Sequence, residues 1–529
     1  MFPAPVRHDP RRLLISCRAG ASGVAPKLRI GIAVRATDAP FWARELIGFL
    51  TRINEFEVSL CPLPDSVTPR RSSWLAERLI ERSRRQFDPF APGALNAATL
   101  AKRDNEWDVL FCLTPKVPAV NARYGALSLQ LGERNIDPPY WGEVIARDPL
   151  SQVTLRWQEN ALTPPRMVRK GDFPTRRGLG FTRNADRCLL YAAQMFADTA
   201  LDIAYSGQEW LMRARSLPEA PSLPENRRPS NAECALFAAR EVCRSMAKPK
   251  GRRRPTGWFC ALRRDTARSY RSLGHFDGSG FEEIPTPPGG QMADPFLVPE
   301  NGRDWLFYEE VPPGTQKGRI SCVQVPKPGE PFPRAEVVLE LDTHLSYPCV
   351  VRHAGDYFMI PESCASQDLR LYRATKFPYE WKLETILIED LPLTDTTPFF
   401  SDERWYFFTT TFPPVQQTVL LASAKLGGPL HLHPSSPVSC SWANTRAAGH
   451  LFTAGNRLIR PSQDCVSGYG YGIRMNEVTR LTPSEYSERA VDHIGPHWRH
   501  GLLGTHTLSA AGGLEVIDGC RYVPETKAE

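Results

Sequence analysis

The stretch Ala293-Asp294-Pro295-Phe296-Leu297 opens a pattern that recurs through the second half of the chain. A polar residue and a proline again lead into an apolar strand at Ser346-Tyr347-Pro348-Cys349-Val350 and at Thr396-Thr397-Pro398-Phe399-Phe400. Looser copies follow at Thr445-Arg446-Ala447-Ala448-Gly449 and Thr505-His506-Thr507-Leu508-Ser509. A turn and a second β-type strand come after each copy. The prolines recur at intervals of about 50 residues, which is the length of one four-stranded propeller blade.

Five such units fit the chain that remains after residue 256, so the repeat predicts an all-β five-bladed propeller over residues 257–525. A sandwich would also contain many short strands, but it would not restart at a regular interval. The first strand of each propeller blade lines the central channel. The polar residues that open these strands should therefore converge on one pocket, and they are Asp294, Tyr347, Thr397, Arg446 and His506.

Further polar residues lie near the same layer of the repeat. Each of them could simply cap a strand or pair with a neighbouring arginine. Charge that converges in a channel is costly unless it is paired or used, which favours a ligand site. The predicted substrate-binding residues are Glu309, Tyr347, Arg446, Arg460, Gln463, Asp464 and His506. The segment Gly468-Tyr469-Gly470-Tyr471-Gly472 is either a rim of the channel, with tyrosine faces suited to sugar rings, or a tight turn between strands.

Composition limits the function classes. The chain has 529 residues, 42% hydrophobic and 23% charged, which is enough for two or three globular domains. The net charge of +7 comes largely from short basic runs of the kind found on solvated faces and linkers, and no nucleic-acid motif accompanies them, so no nucleic-acid partner is predicted. Thirteen cysteines without a CxxC pair indicate reduced thiols and a cytoplasmic protein. No transmembrane segment, metal site or cofactor is predicted.

The first half of the chain predicts an α/β domain over residues 28–215, after a disordered lead over 1–27. The strands Leu28–Val34, Phe56–Leu60 and Asp108–Leu113 alternate with helical patterns, which favours a parallel sheet. No GxGxxG follows the first strand, so a dinucleotide is not supported. Residues 216–256 read as a Pro-rich and basic linker. It contains a short helix, Asn231–Met246, with Asn231 as N-cap and with Ala232, Leu236, Ala239 and Val242 on its apolar side.

The segment Arg123-Tyr124-Gly125-Ala126-Leu127-Ser128-Leu129-Gln130, with the later Val153-Thr154-Leu155, resembles the folate-dependent formyltransferases. In that family an Asn, a His and an Asp carry formyl transfer. The resemblance places Ser128, Gln130 and Thr163 at those three positions. An amide does not titrate near neutral pH, so Gln130 cannot act as a general base. The resemblance therefore implies a formyltransferase-like domain that is inactive, and active sugar N-formyl transfer is the least favoured alternative.

The propeller resembles the N-terminal domain of plant glucosamine inositolphosphorylceramide transferases, and bacterial proteins join such a propeller to a formyltransferase-like domain. The resemblance rests on Ala293-Asp294-Pro295-Phe296, Phe307-Tyr308-Glu309-Glu310 with Lys317-Gly318-Arg319-Ile320, Ile360-Pro361-Glu362-Ser363, Arg460-Pro461-Ser462-Gln463-Asp464 and Gly504-Thr505-His506-Thr507. It implies a link to surface-glycan or glycolipid assembly. In the plant proteins glycosyl transfer is assigned to a different, C-terminal domain.

The propeller is also similar to five-bladed glycosidases, which place three carboxylates on separate blades. Asp294 matches the first of these, as the base. Tyr347 and Thr397 stand where the other two are expected, so Glu362 as acid and Asp395 are the predicted substitutes from nearby. The predicted catalytic set is Asp294, Glu362 and Asp395.

Two functions follow as hypotheses. The first is a carbohydrate-active protein whose channel binds a saccharide or glycolipid precursor, with glycosyl transfer or glycosidase-like chemistry if it is an enzyme. The second is a noncatalytic scaffold or recognition module built from two degenerate enzyme domains. Enzymes of glycan synthesis are the expected protein partners.

Overall fold

The computed structural model describes residues 27–34, 41–62, 74–84, 106–113, 117–118, 122–134, 136, 139–178, 180–222, 224, 227–246, 256–412 and 415–523. The chain divides into two compact units, residues 21–250 and residues 251–529. The predicted disordered lead, apart from residue 27, and the basic run 248–254 lie outside the described residues. Within the described ranges, the helices include none with the length and hydrophobicity that a membrane-spanning segment requires.

The N-terminal unit contains one six-stranded sheet in the order β2-β1-β3-β4-β5-β6. The first four strands of this order are parallel, but β5 runs antiparallel to β4, and β6 antiparallel to β5. The predicted all-parallel sheet is therefore wrong at one edge, because the turn at 159–165 between β5 and β6 is too short for a crossover connection. The strands are Leu28–Val34 (β1), Phe56–Pro62 (β2), Val109–Cys112 (β3), Ala126–Leu131 (β4), Leu150–Gln158 (β5) and Arg166–Pro174 (β6).

Helices accompany this sheet. The longest one is kinked at Gly207 and covers one sheet face, where Phe196 stacks on Phe111 and Trp210 meets Trp157 edge-on. The apolar residues of this helix recur with the 3.6-residue period of a helix and form one stripe. This stripe packs against the sheet face and is buried there. The helices are Phe41–Leu50 (α1), Trp74–Arg84 (α2), Trp141–Ala146 (α3), Asn184–Ser216 (α4) and Asn231–Met246 (α5).

Helix α5 corrects two details of the sequence prediction. Its N-cap is Ser230 rather than Asn231, since Ser230 and Glu233 exchange hydrogen bonds in a capping box. Its buried residues are Cys234 and Phe237, which pack among side chains of α2 and α3. The predicted apolar side, which includes Leu236, faces solvent instead.

The C-terminal unit is a five-bladed β-propeller, which confirms the architecture predicted from the repeat. Four blades are each continuous in sequence. The first contains Gln291–Glu300 (β9), Arg303–Val311 (β10), Arg319–Gln324 (β11) and Glu336–Leu339 (β12), and the second contains Ser346–His353 (β13), Asp356–Glu362 (β14), Leu369–Lys376 (β15) and Glu380–Ile388 (β16). The third contains Leu393–Ser401 (β17), Arg404–Thr411 (β18), Thr418–Ser423 (β19) and His431–Leu432 (β20), and the fourth contains Phe452–Ala454 (β21), Arg457–Asp464 (β22), Gly472–Leu481 (β23) and Tyr486–Ile494 (β24).

The fifth blade joins the two ends of the propeller. β26 (Leu508–Ala511) pairs with β27 (Leu514–Tyr522), β27 pairs with β7 (Thr256–Arg263), and β7 pairs with β8 (Glu282–Glu283). A short strand, β25 (Leu502–Gly504), also pairs with β27. The junction between β7 and β27 contains a buried ion pair of Arg263 with Glu515, and a one-turn helix, α6 (Tyr270–Leu273), donates its first backbone N–H to the same carboxylate. Closure of the ring therefore depends on residues far apart in sequence.

Candidate functional site

Three successive inner strands contain the same β-bulge. Asp294, Tyr347 and Asp395 have φ angles of 50°, 47° and 48°, and each lies where the register between the inner strand and its neighbour shifts. In each bulge two inner-strand residues stand against one residue of the neighbouring strand, which redirects a side chain. A positive φ costs a non-glycine residue about 1–3 kcal/mol and is concentrated at functional sites. The bulge thus marks equivalent positions on blades one, two and three.

This equivalence corrects the predicted ring. The third member is Asp395, and Thr397 lies two residues further along the same strand. In the first two blades the bulge residue directly precedes a proline, in Asp294-Pro295 and Tyr347-Pro348. In the third blade Asp395 is followed by Thr396, so the residue before the proline is Thr397 and not the bulge residue. Thr397 instead hydrogen-bonds the hydroxyl of Tyr347 at 2.7 Å, and that hydroxyl also accepts the N–H of Gly449 at 2.8 Å. These contacts join Tyr347 of the second blade to the third blade and to the segment that leads into the fourth.

Arg446 joins two of the predicted carboxylates. It donates to Asp395 from Nε at 2.6 Å and from Nη2 at 3.1 Å, and Nη2 also reaches Glu362 Oε2 at 3.0 Å. Gln463 Nε2 adds a hydrogen bond of 3.1 Å to Asp395. All four side chains are buried. Burial and the charge of Asp395 raise the pKa of Glu362 to about 8, although Arg446 acts in the opposite direction.

Asp294 belongs to a second polar group in the same channel. Its carboxylate accepts hydrogen bonds from Thr507 Oγ1 at 2.7 Å and from the backbone N–H of Tyr347 at 3.2 Å. His506 Nδ1 lies 3.7 Å from Asp294 and 2.5 Å from Asp518. Burial raises the pKa of Asp294 to about 7, and His506 opposes this shift. Burial disfavours the charged form of His506, but the two carboxylates outweigh it and raise the pKa of His506 to about 9.

The trio Asp294, His506 and Asp518 also has the composition of a metal site, since their ligand atoms lie within 4.8 Å of one another. The contact of 2.5 Å between His506 and Asp518 is a charge-assisted hydrogen bond. A proton on His506 offsets the charge of the two carboxylates at neutral pH, and a metal ion bound at this trio would have to displace that proton.

Tyr469 covers both groups from the solvent side. Tyr469 is 55% exposed as a residue, and its ring lies 5.1 Å from the Arg446 guanidinium carbon and meets the His506 ring edge-on at 5.5 Å. His506 in turn stacks on Trp258 at 4.0 Å. The neighbouring Gly470 has φ 63°, and a Cβ there would lie 2.8 Å from both His506 and Trp258. Glycine is thus required for the segment to lie this close, and Tyr469 stands at the mouth of the site.

Two predicted acids lie beside histidines. Glu309 is 3.2 Å from His344, and Asp464 is 3.0 Å from His493. Glu309 also contributes to the raised pKa of Asp294. Both histidines are part-exposed, and the predicted substrate-binding roles of Glu309 and Asp464 remain predictions.

Arg460 does not join the acids of the channel. It binds Glu488 with two hydrogen bonds of 2.7 Å and Asn444 with one of 2.8 Å, within the fourth blade. Its predicted role in substrate binding is therefore corrected to a buried structural pair. The reason is that Glu488, on the fourth strand of that blade, satisfies the guanidinium locally.

Sequence reasoning missed Asp518 and Trp258. Asp518 was detectable as a lone acid inside the apolar run Val516-Ile517-Asp518-Gly519, since an unpaired charge is rarely buried. Trp258 carried no signal, because its partner His506 lies at the other end of the propeller sequence. Cys364 was also missed, and its thiol donates to Glu362 at 3.1 Å.

The three residues that the sequence resemblance placed at formyltransferase positions lie in or beside the N-terminal sheet. Ser128 and Gln130 are two residues apart on β4 and share a sheet face, and the Gln130 side-chain amide donates to the carbonyl of Gly132 at 3.2 Å. Thr163 lies in the turn between β5 and β6 and bonds the carbonyl of Asn160 at 3.0 Å. None of the three carries a group that titrates near neutral pH.

Comparisons with known proteins concern the propeller. Residues 283–499 match the family model described as "Glucosamine inositolphosphorylceramide transferase 1, N-terminal". The protein of that name from Oryza sativa subsp. japonica is 31% identical over 252 residues, which cover 44% of this chain and 34% of the rice protein. The Arabidopsis thaliana protein is 29% identical over 258 residues, with 44% and 33% covered. This chain thus spans about a third of the length of the curated relatives it matches.

Solved structures with a similar fold are remote in sequence. A family 117 glycoside hydrolase of Zobellia galactanivorans is 11% identical with a TM-score of 0.34, covering 52% of this chain and 92% of that chain. An exo-β-1,3-galactanase of Clostridium thermocellum is 12% identical with a TM-score of 0.32, covering 40% and 53%. The five-bladed architecture itself rests on the strand pairing described above.

Proposed function

We propose that the propeller channel is a saccharide site, and that the protein takes part in surface-glycan or glycolipid assembly. The observation that carries this proposal is the ring of the part-exposed residue Tyr469, which lies against Arg446 and its partners Asp395 and Glu362. An aromatic face beside charged hydrogen-bonding groups matches a sugar ring, which has an apolar face and a rim of hydroxyls. The names of the plant relatives support the same class of ligand.

The channel also has the components of a catalytic site. With a pKa of about 8, Glu362 is protonated at neutral pH and can donate to the oxygen of a leaving group. Asp294, with a pKa of about 7, can accept the proton of the water or acceptor hydroxyl that attacks the anomeric carbon. Asp395 stays beside Arg446 and stabilises charge. One C–O bond breaks and one forms, which describes hydrolysis with water and glycosyl transfer with an acceptor alcohol.

A noncatalytic recognition module is the second candidate. It is favoured by Arg446, which holds both Asp395 and Glu362, and by Tyr347, which occupies the bulge position of blade two where an acid would stand in a three-carboxylate site. In this case the channel binds the saccharide and leaves it unchanged.

For the N-terminal unit we propose a formyltransferase-like ancestry without formyl transfer, because Ser128, Gln130 and Thr163 cannot supply the required acid-base chemistry. A cytoplasmic location is proposed on the twelve described cysteines, all of which are free thiols. Partner enzymes of glycan synthesis remain part of this proposal.

Calorimetry on a glycan panel tests the proposal. The wild type should bind at least one saccharide, Tyr469→Ala should weaken that binding about tenfold, and Arg460→Met, which alters a buried pair outside the channel group, should bind as the wild type does when folded. Absence of binding by the wild type to every member of the panel contradicts the saccharide site. Turnover that is lost in Glu362→Gln selects the enzyme over the recognition module.

A further inference from the structure

A row of side chains crosses the N-terminal sheet on the face opposite α4. Cys112, Ser128 and Arg156 are directly paired in the registers of β3, β4 and β5. Their sequence neighbours Phe111 and Trp157 contact α4, and alternate residues of a strand point to opposite faces. The row of Cys112, Ser128 and Arg156 therefore faces away from α4.

Two polar groups of this row are buried without partners. Arg156 is 6% exposed and Ser128 is 1% exposed, and neither Arg156 Nε nor Ser128 Oγ has a hydrogen-bond partner. Across the described ranges, the Arg156 guanidinium forms no side-chain hydrogen bond or ion pair, and burial lowers its pKa. An unpaired buried charge is strongly unfavourable, and an unpaired buried hydroxyl is costly as well.

Other buried arginines of the described chain are treated differently. Arg263, Arg446 and Arg460 each meet a carboxylate. Arg169, on the strand next to Arg156, reaches across the other sheet face to Asp202 at 2.6 Å. Among the described residues no carboxylate pairs with Arg156, whose cross-strand neighbours are Met167 and Ser128. Within this part of the chain the guanidinium lacks a counter-ion, and an anion from solution would complete the pairing.

We propose that this face of the N-terminal sheet binds an oxyanion, the phosphate or carboxylate group of a small ligand, through Arg156 and Ser128. A guanidinium offers a planar set of donors that matches either group, and the Ser128 hydroxyl supplies a donor from the adjacent strand. The next row of the same face is also polar, with Gln130 opposite Thr154, and it extends the site along the strands. This site is separate from the propeller channel and does not depend on the saccharide proposal.

The test uses the full-length protein with inorganic phosphate and, in a second arm, acetate, each compared with chloride at equal ionic strength. Hydrogen–deuterium exchange of peptides over β4 and β5 should slow saturably with one of the two anions, and the arm that responds identifies the chemistry. Arg156→Met should abolish this response and, because it removes an unpaired buried charge, should leave the anion-free protein at least as stable as the wild type. Arg169→Met, the matched control, should lose stability and keep the response.

A second variant supplies the missing anion from within. Ser128→Asp places a carboxylate opposite Arg156, so β4 and β5 should be protected without added anion and should no longer respond to it. The proposal is overturned if neither anion slows exchange in the wild type, if Arg156→Met responds as the wild type does, or if Ser128→Asp lowers protection.

Discussion

Arg446 holds Asp395 through two hydrogen bonds, of 2.6 and 3.1 Å, although the two residues are 51 positions apart and come from different blades. The same guanidinium reaches Glu362, on the second blade, at 3.0 Å. Arg446 therefore connects the second, third and fourth blades at the channel. Its role is at once structural and electrostatic, because it is the cation that permits two buried carboxylates to lie side by side.

Arg446→Met should destabilise the propeller by about 3–5 kcal/mol, because it leaves the buried carboxylate of Asp395 without its counter-ion. Urea unfolding followed by tryptophan fluorescence measures the loss. Adding Asp395→Asn should recover part of it, since the unpaired charge is then removed. A loss below about 1 kcal/mol in the single variant would show that solvent reaches these carboxylates.

The stability of the propeller should fall as pH rises from about 4 to 9. His506 has a pKa raised to about 9, so its contribution is complete below its unfolded value of about 6.5 and is lost as pH rises through 9. Asp294 and Glu362, with pKa values of about 7 and 8, hold protons in the folded state that the unfolded chain releases near pH 4. The native state thus binds more protons throughout this window, and stability decreases with pH.

Glu362→Gln isolates one part of this dependence. Its free energy of unfolding, measured by denaturant titration between pH 5 and 9, should fall less steeply than that of the wild type, because the glutamine cannot ionise. Parallel curves for the two proteins would contradict the raised pKa of Glu362.

Gly470→Ala should displace the segment that carries Tyr469. The substitution adds a Cβ 2.8 Å from His506 and Trp258 at a φ of 63°. Gly302→Ala is the matched control, with φ 73° and no atom within 4 Å of the new Cβ, so it carries only the cost of the backbone conformation, about 1–2 kcal/mol. Gly470→Ala should lose more stability than Gly302→Ala in thermal unfolding. Equal losses would mean that the segment moves aside freely.

Glu515→Gln should weaken closure of the propeller ring by about 3–5 kcal/mol, because it leaves the fully buried Arg263 without its carboxylate. Glu283→Gln is the control, since Glu283 forms part-exposed pairs with Arg499 and Arg521 in the same blade and should cost less than about 1 kcal/mol. Differential scanning calorimetry compares the two. Similar small losses of stability in both variants would show that the backbone pairing of β7 with β27 closes the ring without help from the ion pair.

Much of the fold was predictable from local patterns. The restarts at Pro295 and Pro348 are local features of sequence, and counting them was enough to predict five blades. The parallel part of the N-terminal sheet was predictable from alternating strands and helices, whereas β5 and β6 were not, because strand direction depends on the path of the connection. The exposed apolar side of α5 shows a further limit: periodicity identifies an apolar face but not what covers it.

The candidate site was predictable as a set of residue types and less so as a geometry. Asp294, Asp395, Glu362 and Arg446 were all predicted, but the bulge that makes Asp395 the equivalent of Asp294 is visible only in the strand register. Arg460 was predicted to bind substrate in the channel, but in the structure it pairs with Glu488 inside its own blade.

The sequence alone determined that the second half of this chain repeats a β-rich unit five times, since turns, prolines and strand alternation act over a few residues. Tertiary structure decided which side chains meet. His506 is paired with Asp518 and stacked on Trp258, a residue from the opposite end of the propeller, and Arg156 Nε has no hydrogen-bond partner among the residues that the structure describes. Such contacts arise from ring closure and strand order, which bring together groups hundreds of residues apart, and no local pattern encodes them.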